Sequence, residues 1–241
     1  MTAVERRHFA WEGCFNARDL GGLSTRDGRT TRHGVFLRGD TLCKLTEDGR
    51  RSLLEDGVRT VVDLRGAEEL EREPNPFASI DDVRYEHRPL NDPGVTSRIS
   101  AIDDPTERYR VMLDGNGQRI AEILSVIAGS PRAVLFHCFA GRDRTGIVAA
   151  ILLRLTGVPD DLIVQDYAVS DERLVTRYEE WRARQNEIQR ARMDQSIVEA
   201  ETTIRGTLGH LDEKYGGVEA YLLKHGLDPA AIGRLKGDLI G

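Results

Sequence analysis

The chain has 241 residues, enough for one large domain or two small ones, and its 39% hydrophobic and 31% charged content allows a core beneath a well-solvated surface. A net charge of -6 gives no basis for nucleic-acid binding. No run approaches the roughly twenty apolar residues of a membrane span, residues 1–12 carry Glu5, Arg6, Arg7 and Glu12 without an apolar stretch, and three cysteines are too few for a disulfide scaffold; the expectation is a cytoplasmic protein, with unconventional export left open.

Residues 1–33 are rich in Arg, Asp and Gly, and Asp27-Gly28 between Leu23 and Val35 can close a hairpin. Gly34 to Arg38 reads as a strand. Thr46 followed by Glu47 and Asp48 caps a helix that Gly57 can stop, and Val61 to Leu64 reads as a second strand, so a parallel crossover is expected. Asp63, inside that apolar run, is expected to be a structural carboxylate bonded to neighbouring backbone or to Arg65. Val83 to Arg88 alternates as a strand with one wetter face and runs into Pro89 to Gly94, a loop at the strand's carboxyl end, where open α/β sheets bind ligands.

Ile120, Ile123, Leu124 and Ile127 mark one face of a helix over Asn116 to Ala128, which Gly129-Ser130-Pro131 ends. Ala133 to Phe136 reads as a strand buried on both faces and Ile147 to Leu155 as a buried helix. From Ser170 to about Glu201 the chain is helical and charged, with one apolar stripe of Leu174, Tyr178, Trp181 and Ile188. Gly226 is a stop, and Asp228-Pro229 starts a short last helix. The six histidines are dispersed and recommend no metal site.

The chemistry concentrates between the buried strand and the buried helix, in the segment from His137 to Gly146. A helix N-terminus offers unpaired N–H groups and positive dipole charge. Five residues separate Cys138 from Arg144, so the loop can curl its amides around a tetrahedral oxyanion while the guanidinium closes the ring. The same amides favour Cys138 as a thiolate, a nucleophile aimed at phosphorus.

The run His137-Cys138-x-x-Gly141-x-x-Arg144-Thr145-Gly146 resembles the signature of the cysteine-dependent protein tyrosine and dual-specificity phosphatases. Within that superfamily the chain is similar to the bacterial tyrosine phosphatase B type. The likeness includes, in the same order, Phe15 to Gly22, Phe36-Leu37-Arg38, Val61 to Arg65 and Tyr215-Gly216-Gly217. That order favours one phosphatase domain over 1–241: an α/β fold with a central, mostly parallel sheet flanked by helices. The resemblance implies hydrolysis of phosphomonoesters through a phosphocysteine, with phosphotyrosine proteins or phosphoinositides as substrates and no cofactor. Cys138 and Arg144 would be catalytic. Phe139, Ala140, Gly141, Arg142 and Thr145 would bind the substrate phosphate, and His137 would support Cys138.

Such phosphatases carry an aspartate that protonates the leaving oxygen. Asp92, on the proline-rich loop, and Asp143, inside the phosphate loop, are the two candidates, and Asp92 also reads as an ordinary turn or cap residue. The family commonly has lysine where this chain has Arg142, so a cation there could take a second phosphate. Its helices after the phosphate loop form a lid, which implies a lid over about 170–201, although this chain is shorter there than the longer members and an ordinary peripheral helix is the other reading. Arg18 and Asp19 either support the loop from behind or pair on the surface. Cys14 and Cys43 are either small buried hydrophobes or partners for a protective disulfide with Cys138. Rival readings are an inositol polyphosphate phosphatase with the same loop and a catalytically idle phosphate-binding module.

Overall fold

A computed structural model describes residues 7–240; Glu5 and Arg6 lie outside the described residues. Five short strands form one sheet: β1 (Arg18–Asp19), β2 (Phe36–Gly39), β3 (Thr60–Asp63), β4 (Arg84–His87) and β5 (Val134–His137), in the order β1-β2-β5-β3-β4. β2, β5, β3 and β4 are mutually parallel, and only β1 runs antiparallel. The fold is α/β with a mostly parallel sheet, as expected. The strand order is set by tertiary packing: β5 inserts between β2 and β3, which are neighbours in sequence but not in the sheet.

Alternation along the strands divides the core. Phe36, Val62, Val134 and Phe136 point into a large cluster on one face, whereas Leu37, Val61 and Leu135 point into a smaller one with Trp11, Leu53 and Phe77. The smaller layer is helix α1 (Glu47–Glu55) and the N-terminal segment. Thr46 caps α1 by accepting from Gly49 N, and its first turn is acidic, as the sequence suggests.

After β3 come α2 (Ala67–Arg72) and a 3₁₀ turn at Pro76–Ser79; after β4 come α3 (Pro93–Ser100) and α4 (Pro105–Gly129). Helix α4 starts eleven residues before the expected Asn116. Asp104 caps it, and its backbone is non-helical at Asn116, whose side chain binds Met112 O and Asp92 N. The larger layer continues with α5 (Asp143–Leu155), α6 (Asp160–Arg173), α7 (Val175–Arg182), α8 (Glu187–Val198), α9 (Ala200–Tyr215), α10 (Val218–Lys224) and α11 (Pro229–Ile240). Helix α5 is apolar almost all round and buried; Arg154 escapes by pairing with Asp160 and Asp212.

The hairpin expected at Asp27-Gly28 is reduced to a turn closed by Thr25 N donating to Arg29 O, with a single bridge between Ser24 and Thr30. Among the described residues, no helix is long and apolar enough to cross a membrane. The sheet register aligns Gly39, His137, Asp63 and His87 along one edge, so the next residue of β5, Cys138, emerges at the centre of the carboxyl edge.

Candidate active site

Five residues, 138–142, link β5 to α5. Four successive carbonyls in this loop are held by donors from other elements. Cys138 O accepts from His137 Nδ1 at 3.1 Å, Phe139 O from Thr41 N at 3.0 Å, Ala140 O from Asn16 Nδ2 at 3.0 Å and Gly141 O from Arg38 Nη2 at 2.8 Å. In a planar trans peptide the C=O of one residue points opposite to the N–H of the next. Fixing these oxygens outward therefore turns the N–H groups of Phe139, Ala140, Gly141 and Arg142 inward. Among the described residues those four N–H groups have no acceptor, and they converge at the start of α5. Gly141 makes the curl possible: its φ is +66°, and a Cβ there would lie 2.7 Å from Asp40 N.

The cysteine side of the loop is stiffened through His137. Asn75 Nδ2 donates to His137 Nε2 at 2.9 Å and to Asp63 Oδ2 at 3.0 Å, so the imidazole carries its proton on Nδ1 and gives it to Cys138 O. Burial pushes the His137 pKa down, which keeps the ring neutral. Asp63 also accepts from Arg65 N and from both Nε and Nη2 of Arg65, and is thus the structural carboxylate foreseen. Burial pushes its pKa up, but the Arg65 guanidinium and the Asn75 hydrogen bond outweigh this and hold it below the usual range. Cys138 is 2% exposed.

Arg144 reaches from the first turn of α5 to Glu69 on α2 in a two-pronged pair, Nη1 to Oε2 at 2.5 Å and Nη2 to Oε1 at 2.7 Å. Glu69 also accepts from Gly66 N, so α2 is locked to the arginine it orients. Burial raises the Glu69 pKa, but the Arg144 hydrogen bonds more than compensate and the net shift is downward. Thr145 Oγ1 is buried and has no partner among the described residues.

The two candidate acids stand in different places. Asp92 caps α3, accepting from Gly94 N at 2.9 Å, and pairs with Arg119 at 3.1 Å, both outside the loop. Asp143 opens α5 with 43% of its side chain exposed; its Oδ1 accepts from Arg142 Nη1 at 2.9 Å and from the Tyr109 hydroxyl. Burial opposes ionisation of Asp143, yet Arg142 and Tyr109 hold its carboxyl below the usual range.

Arg142 departs from the sequence expectation of a cation open to a second phosphate. It is 4% exposed and turned into the protein: Nε binds Asp171 at 2.6 Å, Nη1 binds Asp143 and Ser196 Oγ, and Nη2 binds Asp171 and Ser196 O, with the ring of Tyr167 beneath. Two carboxylates within reach, and a planar fork that suits them, draw the guanidinium inward. Its guanidinium is thus engaged within the protein, and its backbone N–H is the part that faces the loop.

A cysteine at the base of an amide cradle, closed by an arginine and framed by carboxylates, is an arrangement for holding and attacking a tetrahedral oxyanion. Residues 9–241 match the model of the tyrosine phosphatase family. The chain belongs to that family. It is 29% identical to the triple specificity protein phosphatase PtpB of Mycobacterium tuberculosis, covering 95% of this chain and 98% of that one. It is 31% identical to a tyrosine-protein phosphatase of Nostoc commune, over 84% of this chain and 73% of the relative. The protein is therefore a hydrolase of the tyrosine phosphatase class.

In this tyrosine phosphatase the segment foreseen as one helix after Ser170 is broken. Asn186 and Gln189 form a reciprocal capping box that starts α8 afresh, so the apolar stripe ends at Trp181 and Ile188 is 68% exposed. The segment nevertheless touches the phosphate loop: the Trp181 ring lies 5.4 Å from that of Phe139, and Ser196 of α8 binds Arg142.

Arg18 sits behind the loop as one of the two readings had it, donating to Asn16 Oδ1 at 2.6 Å, whereas Asp19 braces the 21–34 turn through Gly21 N and Gly34 N. All three cysteines are free. Cys14 donates to Asp40 at 2.9 Å, and burial, with Asp40 beside it, pushes its thiol pKa up; Cys43 donates to Glu73 at 3.0 Å. Asn16, Arg38, Thr41, Glu69 and Asn75 were not foreseen as loop supports. Asn16 and Arg38 lie in blocks that carry the resemblance, the one available signal; nothing marked the other three.

Proposed function

We propose that the protein hydrolyses phosphomonoesters through a phosphocysteine on Cys138, with phosphotyrosine in proteins as its principal substrate class. The observation that carries this reading is the set of four outward-fixed carbonyls, which makes one preorganised anion cradle beside Cys138 and Arg144. Cys138 attacks phosphorus and the ester oxygen departs. The amides of residues 139–142 and the guanidinium of Arg144 hold the equatorial oxygens, and Thr145 Oγ1, unpartnered, is available to the sulfur when it leaves in the second step.

Asp143 protonates the departing oxygen and then activates the water that releases phosphate. Arrival of a phosphate dianion beside it opposes the pull of Arg142 and raises its proton affinity when a proton is needed. Asp92 is the alternative donor, but its carboxylate is engaged by the α3 cap and Arg119. Because Arg142 is consumed internally, the multiply phosphorylated inositol readings lose the cation that suggested them.

A substrate panel tests this: phosphotyrosine peptide, phosphoserine peptide, a phosphoinositide and inositol hexakisphosphate, each with the native chain and with Cys138→Ser. Turnover of the phosphotyrosine peptide above the rest, abolished in Cys138→Ser, is expected. No turnover of any member refutes the enzyme reading and leaves the idle phosphate-binding module in its place. On a poor alkyl leaving group Asp143→Asn should lose far more rate than Asp92→Asn, and the reverse order reassigns the acid.

A further inference from the structure

Two of the four loop carbonyls are held by side chains that meet again on the far side, at one carboxylate. Asp166, on α6, is buried with 1% of its side chain exposed; Oδ1 accepts from Arg7 Nη2 at 2.6 Å and Arg18 Nε at 3.2 Å, and Oδ2 accepts from Arg38 Nη1 at 2.7 Å. Arg38 spends its other amino group on Gly141 O. Arg18 holds Asn16 Oδ1, and the amide of Asn16 holds Ala140 O. Arg18 also binds Asp166 O at 2.6 Å and Ser170 Oγ at 2.9 Å, so both clamps are referred to one turn of α6.

We infer that Asp166 is a positioning residue of the phosphate loop, fixing through Arg38 and the Arg18–Asn16 relay the two carbonyls whose orientation turns the Gly141 and Arg142 amides toward substrate phosphate. The inference rests on the phosphomonoesterase reading above.

Its energetics are unusual for a merely structural pair. Three guanidiniums share one carboxylate, each of the four side chains no more than 6% exposed, so positive charge is left over behind the loop. Burial, with Arg38 beside it, pushes the Arg18 pKa down to about 9. Buried excess charge is costly, and it falls where a phosphate dianion would offset it. The cluster therefore has a charge effect and a geometric effect on anion binding, and Asp166→Asn separates them. Losing the carboxylate makes the loop more positive, which by charge alone tightens anion binding; it also removes the acceptor that fixes Arg38, which by geometry loosens it.

The experiment measures orthovanadate binding by calorimetry and kcat/KM on p-nitrophenyl phosphate, with active-site thiol titration to count functional molecules. Misplacement of loop donors by a fraction of an ångström to 1 Å predicts weaker vanadate binding and lower kcat/KM per active molecule, each by about 10- to 100-fold, in Asp166→Asn. Arg38→Lys, which keeps the charge but cannot span Asp166 and Gly141 O, should show the same loss, and Asn16→Ala a smaller one. Vanadate affinity unchanged or tighter in folded Asp166→Asn overturns the inference; should that variant not fold, unchanged affinity in Arg38→Lys overturns it. A native chain that binds vanadate but hydrolyses nothing sinks the phosphatase reading instead.

Discussion

Arg144 is oriented before any substrate arrives, because both of its terminal amino groups are already committed to the two oxygens of Glu69. A guanidinium has five donors in a rigid plane, so one edge can be pinned while the rest remains for an oxyanion. Glu69→Gln keeps the shape but replaces one accepting oxygen with a donor that faces Nη1 or Nη2. The charge-assisted pair, about twice as strong as a neutral one, is lost. We expect kcat/KM on p-nitrophenyl phosphate to fall about tenfold, equivalent to ~1.4 kcal/mol of transition-state binding, with the fold intact. A change below about twofold by steady-state kinetics would mean that the loop alone sets the arginine. This pair also marks the limit of what the sequence reveals at residue scale. Cys138, Gly141, Arg144 and Thr145 stand out in the sequence as candidates because they are contiguous, and the structure places them together at the β5–α5 junction. Glu69 and Asp166 do not stand out, since Glu69 stands 75 residues from Arg144 and Asp166 stands 128 from Arg38 and only the fold brings them together.

Elements are most legible where burial imposes a period, and a cap reveals a helix only where the residues after it read as helical, as at Thr46. β5 and α5 read as buried because nearly every position is apolar. The extents of helix α3 and of the first half of α4 are not evident: Asp92 reads as either a turn or a cap residue and proves to be the N-cap of α3, and Asp104 caps α4 in the same way, each followed by proline in the first helical turn. Helix α8 is weakly held: it contains no buried residue and is tied by polar contacts, Arg142 to Ser196, Arg192 to Asp103 and Arg182 to Asp194. Exposed ion pairs of this kind contribute about 0–1 kcal/mol each. Opening of α8 should therefore cost far less than global unfolding, and its amides should exchange with deuterium orders of magnitude faster than those of α5. Hydrogen-exchange mass spectrometry over peptides from the two helices checks this. Protection of α8 equal to that of α5 would show that it is part of the cooperative core, and a covering role would then need the whole layer to move.

On the scale of the molecule, the four parallel strands put their carboxyl ends on one edge, and the two hydrophobic layers hold that edge rigid from both sides. The crossover pattern was readable, but the central place of β5 was not, because order in a parallel sheet depends on which strand best fills the middle of the two layers. The helical layer is joined partly by charge, and this makes its stability depend on pH. Asp114 on α4 accepts from His210 Nε2 at 2.8 Å, Lys214 Nζ at 2.6 Å and the Tyr215 hydroxyl at 2.6 Å, all on α9. Burial pushes the Asp114 pKa up, but the bonds from Lys214, Tyr215 and His210 prevail and bring it to about 2. A carboxylate whose pKa is lower folded than unfolded stabilises the fold above its unfolded value of about 3.9, and that stabilisation is lost as pH falls toward the folded value. His137 acts earlier: its folded pKa is depressed, so below about pH 6.5 the unfolded chain takes up a proton that the native ring refuses, and stability declines from there. Urea unfolding at pH 7, 5.5, 4 and 3 should give a shallow loss from His137 followed by a steeper one from the carboxylates. Asp114→Asn should be less stable than the native chain at pH 7, with the gap narrowing as pH falls from about 4 toward 2. A gap that stays constant across that window would show that Asp114 holds α4 to α9 by hydrogen bonding alone, without a contribution from its charge.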